Sequence, residues 1–451
     1  MRFILHSTGW LVFFGLIALA RAVAQEPLTL RQAIQMALKQ NPEADLAHAT
    51  TREAKAGAAL ARTQFLPQVG FTEDISRGDD PVYVFGTKLR QQRFTQADFN
   101  VDTLNKPEPV GNFATRFSGS WVAFDSFRTQ KLVHSADLMQ ASASSSAQSV
   151  DQKIVFDVVQ DYQAVLYAQR QVDVAQHEVE TADALLISVD DRVKAGLTVE
   201  SDRMSAQVNA ASTRQGLIAA QGALELAWAQ LRVAVGAPNL VQAVLQPIEP
   251  KDFPQTPLDQ ELETAAKTRP DLAALGNAQS AQAVAVTAAK WSYGPRVSAY
   301  GNWEDDRPSF GDSGGHNWVA GVQIGIDILP FAKRAQQARE AAAKARIDAQ
   351  VISYQQQVRL QVSQAHIQLK TAQLSLETAR AAISQATESM RILKNRYSAG
   401  LATITDLLHA EDAERQAQAN YWHSVYGNAT AYAGLLFATG TLTPEAAEEL
   451  Q

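Results

Sequence analysis

The chain has 451 residues, a formal net charge of −7 and no cysteine, and 46% of it is hydrophobic. The missing thiols exclude disulfides, thiolate metal sites and lipidation of an N-terminal cysteine, and the acidic balance disfavours nucleic acid as a partner. Ala and Gln dominate, a composition of long packed helices rather than of a cytoplasmic α/β enzyme.

In chain order, residues 1–24 read as a secretory signal peptide: Arg2 at the basic start, an apolar run from Leu11 to Ala20, and the small-residue pattern Ala22-Val23-Ala24 before Gln25. Its removal takes Arg2 and Arg21 and no acid, so the charge moves from −7 to −9. No later stretch approaches the ~18 uninterrupted apolar residues of a membrane helix. The exported chain therefore either stays in water or spans a membrane by strands.

The remainder is written twice. Ala37-Leu38-Lys39-Gln40-Asn41-Pro42 matches Ala265-Ala266-Lys267-Thr268-Arg269-Pro270, and Phe65-Leu66-Pro67-Gln68-Val69 matches Tyr293-Gly294-Pro295-Arg296-Val297, both at an offset of 228. Arg192-Val193-Lys194-Ala195-Gly196-Leu197 matches Arg396-Tyr397-Ser398-Ala399-Gly400-Leu401 at an offset of 204. The first copy must therefore carry a 24-residue insertion, and the irregular, Gly- and Pro-bearing segment from Asp79 to Asn112 is where it falls. The division that follows is a first repeat over 25–237, a Pro-bearing linker over 238–257, a second repeat over 258–440 and a tail over 441–451.

The loop in each copy is flanked by alternating segments, which predict strands over about 67–77, 113–125, 295–305 and 317–329. Phe113, Phe117 and Trp121 oppose Arg116, Ser118 and Ser120; Trp318, Val322 and Ile324 oppose Gln323 and Gly325. Each run is close to the ~9–11 residues of a tilted transmembrane strand. Four strands cannot close a membrane barrel, so several chains must share one.

After each hairpin about 67 residues pass without Gly or Pro. Long helices are predicted over about 126–194 and 331–398, with returning helices over about 201–235 and 403–436. Val358, Val362, Ala365, Leu369, Ala372, Leu376, Ala379, Ile383, Ala386, Met390, Leu393 and Tyr397 alternate spacings of four and three, a heptad seam. The first copy repeats it from Ile154 to Val193 with Asp161 as its polar exception. A second stripe at Leu360, Ile367 and Leu374 predicts that each helix packs on two neighbours, as in a closed tube. Such a helix is ~100 Å long.

This doubled arrangement of hairpin, long helix, Ala-Gly-Leu turn and returning helix resembles the TolC-like outer-membrane efflux family over nearly the whole exported chain. The opening Leu28 to Pro42 and the endings Ala234-Val235-Gly236 and Phe437-Ala438-Thr439-Gly440 are similar to the family's own. The resemblance implies a mostly α fold with a β-barrel portion, in which a homotrimer forms a 12-stranded barrel in outer-membrane lipid, continued by a periplasmic helical tunnel. It also implies passive conduction from an inner-membrane pump (RND-type or ABC-type) and a periplasmic adaptor (membrane fusion) protein, for efflux or type I secretion. No cofactor is implied.

Residue by residue, the resemblance makes Ala195, Gly196, Leu197 and Thr198, with Ala399, Gly400, Leu401 and Ala402, the periplasmic tips that dock the adaptor. It makes Asp406 a tunnel-closing acid, with Tyr397 as the aromatic group and Asp202 as the first-copy equivalent of Asp406. The sequence departs from the family at His409, where a second acid is common, and at Ala402, where an Arg would stand. An alternative role for Asp406 is that of a helix N-terminal residue favoured by the dipole. The eight histidines include no i, i+4 pair and no HExxH, and no nucleophile elbow or phosphate loop occurs, so neither a metal site nor catalysis is expected. The rival reading is a periplasmic coiled-coil structural protein without a pore.

Overall fold

The computed structural model describes residues 27–450; the expected signal peptide lies outside them. Helix α1 (Leu30–Gln40) opens on a reciprocal capping box between Thr29 and Gln32 and buries Leu30, Ala33, Ile34 and Ala37. Asn41 then caps α2 (Pro42–Arg62), whose Pro42 occupies the first turn, where no donor is needed. Strand β1 (Gln68–Gly78), helices α3 (Pro81–Arg90) and α4 (Val101–Asn105), and strand β2 (Val110–Phe124) follow. Two long antiparallel helices, α5 (Arg128–Lys194) and α6 (Glu200–Val235), complete the first copy. The second copy repeats the order as α7 (Leu258–Thr268), α8 (Pro270–Trp291), β3 (Arg296–Arg307), β4 (Gly315–Gly325), α9 (Phe331–Ser398) and α10 (Ile404–Thr439), with α11 (Pro444–Glu448) beyond it.

The long helices are covered by shorter ones placed end to end. Asn41, at the start of α2, donates from Nδ2 to Ala234 O at the end of α6, 2.8 Å away. In the second copy Arg269 donates to Ala438 O at 2.8 Å, joining α8 to α10. Thus α6 (36 residues) and α2 (21 residues) together run nearly the length of α5 (67 residues).

All twelve positions of the α9 seam and all twelve of the α5 seam are buried or half-buried. Asp161, the polar exception, is half-buried, and that burial, with Asp157 nearby, pushes its carboxyl up to about 6. The main core gathers halfway along the helices, where Leu30, Ile34, Val158, Tyr162, Trp228 and Leu231 pack together.

Three segments carry structure that the sequence expectation did not describe. The linker 238–257 is anchored: Leu28 bridges Leu245, Leu245 and Ile248 are buried, and Tyr162 Oη donates to Leu28 O at 2.8 Å. The stretch 441–450 is no free tail, since Leu442, Ala447 and Leu450 enter the same core. The insertion carries helices α3 and α4, the first begun by Asp80, whose carboxylate accepts from Tyr83 N, and by Pro81.

The four strands form one antiparallel meander in the order β1-β2-β3-β4, and β2 pairs β3 across the two copies. Within the chain β1 and β4 are edges.

Candidate functional site

The sheet separates two chemistries by alternation. One face carries an aromatic rung across all four strands, Phe71–Phe117–Trp303–Trp318, each residue registered against the next. Phe71 and Phe117 have centroids 5.2 Å apart, and Phe117 and Trp303 5.8 Å. Val69, Val322 and Ile324 share this face and are exposed. At the helical end, Phe124, Phe127 and Trp291 form a second aromatic group, with centroids 5.3 and 5.6 Å apart. An exposed apolar face between two aromatic levels is the surface a membrane strand offers to lipid.

The opposite face is polar, with Thr72, Asp74, Ser118, Ser120, Asn302, Glu304 and Gln323 along it. Arg116 and Glu304 stand directly opposite each other and form an ion pair at 2.8 Å. This is the face that would line an aqueous lumen.

At the far end of the helices the two tips are built alike. Helix α5 ends on Gly196 at φ +72° and α9 on Gly400 at φ +76°. Leu197 N bonds Arg192 O at 2.9 Å and Gly196 N bonds Val193 O at 3.0 Å; the matching bonds in the second copy are 2.8 and 3.0 Å. These pairs satisfy carbonyls that a helix end otherwise leaves open. Ala195, Gly196, Ala399 and Gly400 are exposed, Thr198 and Ala402 half-buried, and Leu197 and Leu401 stand 71% and 68% exposed. Leu197 and Leu401 are thus apolar side chains left uncovered at the ends of the two long hairpins.

Behind the tips the gate candidates occupy separate surroundings. Asp406 closes a reciprocal capping box at the start of α10: its carboxylate accepts from Thr403 N at 3.0 Å and from Thr403 Oγ1 at 2.7 Å. Those bonds hold its carboxyl below the ordinary range, so it stays ionised at neutral pH. Asp406 therefore stands in the first turn of α10, the helix N-terminal place given as its alternative, and there it also closes the cap. His409, one turn on, is exposed. Asp202 bonds the Thr198 hydroxyl within its own turn. Tyr397 is buried with Val189, Ile404 and Leu407, and its Oη finds no hydrogen-bond partner among the described residues.

Sequence reading missed Arg192, whose guanidinium lies over the Tyr397 ring at 5.1 Å and reaches Tyr397 O at 3.4 Å. This clasp joins the ends of the two helical hairpins. Its one trace in the sequence was the repeated landmark Arg192/Arg396. Also unforeseen is a polar node deeper in, where Glu411 accepts from Asn209 Nδ2 at 3.4 Å and Glu178 lies 3.7 Å from Arg415. Burial pushes both Glu178 and Glu411 upward.

Residues 33–237 and 262–441 match the family described as outer membrane efflux protein. No protein with a curated description matches the chain. Among solved structures, the CmeC outer membrane channel of Campylobacter jejuni is similar at 16% identity and a TM-score of 0.80, over 91% of this chain and 85% of that one. The outer membrane protein VceC of Vibrio cholerae is similar at 18% identity and 0.75, over 91% and 96%. The open-state MtrE outer membrane channel of Neisseria gonorrhoeae is similar at 17% identity and 0.73, over 92% and 91%.

Proposed function

The chain belongs to the outer membrane efflux protein family, and from that premise we propose that three copies close one 12-stranded barrel and one helical tunnel around water. The protein is an outer-membrane efflux channel of a tripartite system, extends into the periplasm and conducts rather than catalyses. We take residues 25–237 and 258–440 as its two repeats, each supplying two strands. The observation that carries the trimer is the pair of unpaired sheet edges, β1 and β4, on a sheet with one apolar and one polar face. An open edge with an apolar face in lipid leaves backbone groups unsatisfied, and pairing β1 of one copy with β4 of the next removes every edge.

In this reading the tips at 195–198 and 399–402 receive the adaptor, through exposed Leu197 and Leu401. The inner-membrane pump is of RND or ABC type. Asp406 serves twice, as the cap of α10 and, three times around the axis, as an acidic ring that gathers cations and opposes anions. The experiment is to isolate the protein from the outer-membrane fraction, test it for trimers and record single-channel current in planar bilayers. Trimers that conduct, with cation block weakened by Asp406→Ala, are expected; a monomer without current would refute the proposal.

A further inference from the structure

The inserted loop of the first copy does not extend away from the sheet. Helix α3 lies across the polar face at the hairpin-loop end, touching each strand in turn. Tyr83 Oη and Ser76 Oγ on β1 are 2.9 Å apart. Gln91 Nε2 donates to Asn112 Oδ1 on β2 at 2.9 Å. The Arg90 guanidinium lies 3.9 Å from Glu304 on β3, and Asn317 Nδ2 on β4 donates to Arg90 O at 3.0 Å. Ten helical residues span ~15 Å, the width of three inter-strand steps of ~4.8 Å. Beneath the helix, Asn112 Nδ2 donates to Asp306 Oδ1 at 2.7 Å, and Asp306 is 0% exposed. A side chain at Gly315 would collide with Arg90 O, 2.0 Å from where its Cβ would stand. The fit is therefore backbone-close.

Docking buries Val84, Thr87 and Gln91. The opposite side of α3 presents Val82, Phe85 and Leu89, spaced i, i+3, i+7 and exposed. Because the helix is seated on the lumen face, this apolar stripe is directed toward the channel axis. Twelve strands ~4.8 Å apart, tilted ~40°, close to a ring about 24 Å across. A helix ~10 Å thick laid across the inner wall of such a ring covers most of the radius of about 12 Å to its axis.

We propose, resting on the trimeric reading above, that the α3 helices of three copies meet through Val82, Phe85 and Leu89 and plug the outer mouth of the channel. The occupant of the exposed stripe is thus the same stripe on the other two copies, and the buried Gln91–Asn112–Asp306 chain is the latch that seats each helix. The turn between β3 and β4, residues 308–314, is too short to hold such an element. The plug is a property of the first repeat alone.

The chain has no cysteine, so a single introduced thiol reports one position without ambiguity. Oxidation of purified Leu89→Cys or Val82→Cys trimers is expected to give disulfide-linked pairs of protomers. The triple variant V82S/F85S/L89S, still trimeric by light scattering, is expected to conduct several-fold more current than the parent. Trimers in which neither thiol cross-links and the triple variant conducts as the parent does would overturn the plug while leaving the trimer standing. A parent chain that is monomeric by light scattering would overturn the trimer itself, and the plug with it.

Discussion

Four glycines end the four long helices with nearly the same backbone, φ between +71° and +76° at Gly196, Gly236, Gly400 and Gly440. Conformation alone would make them equivalent; the space around them does not. A Cβ at Gly196 or Gly400 meets nothing within 4 Å, whereas at Gly236 it would lie 2.6 Å from Gln40 O and at Gly440 2.7 Å from Arg269 Cα. Backbone cannot step aside as a flexible side chain can. Gly196→Ala and Gly400→Ala should therefore cost only the left-handed penalty of about 1–2 kcal/mol. Gly236→Ala and Gly440→Ala should cost about 3 kcal/mol or more, because they also force apart the joints where α6 meets α2 and α10 meets α8. Denaturant melts of the four variants check this, and equal losses at all four sites would refute it. The same joints explain why Asn41 and Arg269 stand at matching places in the two copies. Each sends one side-chain donor to the last turn of the helix that abuts it.

Helix α9 shows how two stripes on one element differ in consequence. Leu369 sits in the seam and is buried; Ile367, two residues away, is 60% exposed in the isolated protomer, as are Leu360 and Leu374 to similar degrees. Leu369→Ala should therefore destabilise the protomer by about 2–5 kcal/mol through a lost core contact. Ile367→Lys should leave the protomer's helicity intact and abolish the trimer, since it charges the exposed apolar stripe that a neighbouring copy covers in the proposed assembly. Circular dichroism with light scattering separates the outcomes, and a trimeric Ile367→Lys would contradict the assignment of that stripe. Both stripes were legible in the sequence because a helical period imposed over sixty residues leaves little room for coincidence. The strands were legible for the same reason at period two. The polar and aperiodic parts were not: Leu245 and Ile248 enter the core singly from a Pro-bearing segment, and no period announces them. Helix α3 was hidden among Gly, Pro and Asn, although Asp80-Pro81 is a helix-start signal that could have revealed it. Asp406 was reached through the resemblance, although Thr403-x-x-Asp406 is a local capping pattern that could have placed it, whereas the Arg192–Tyr397 clasp spans 205 positions and belongs to no local pattern.

At the scale of the whole molecule, several carboxylates on the helices shift in opposite directions, and those shifts bear on how stability responds to pH. Asp190, Glu388 and Asp406 are held down by hydrogen bonds from Lys194, Arg391 and Thr403, so their contribution is present above the ordinary carboxylate range and is lost as pH falls from that range through their lowered values. Asp161, Glu178 and Glu411 are pushed up by burial between helices. For these the sign reverses: the folded state binds the proton more tightly than the unfolded chain, so stability falls as pH rises through the folded pKa. Asp161, at about 6 against an ordinary 3.8, places its window between those values. Mild acidification from about pH 7.5 to about pH 5.5 should therefore raise the melting temperature, unlike the usual acid response of surface carboxylates. Asp161→Asn should raise it at neutral pH and remove part of the further gain on acidification, by an amount of order 1 kcal/mol after discounting for partial exposure. Melting curves of the detergent-purified protein at a series of pH values test both statements. A parent whose melting temperature falls steadily over that interval would show that these three half-buried acids are solvated in the assembly, and that the helical wall is looser there than its packing implies.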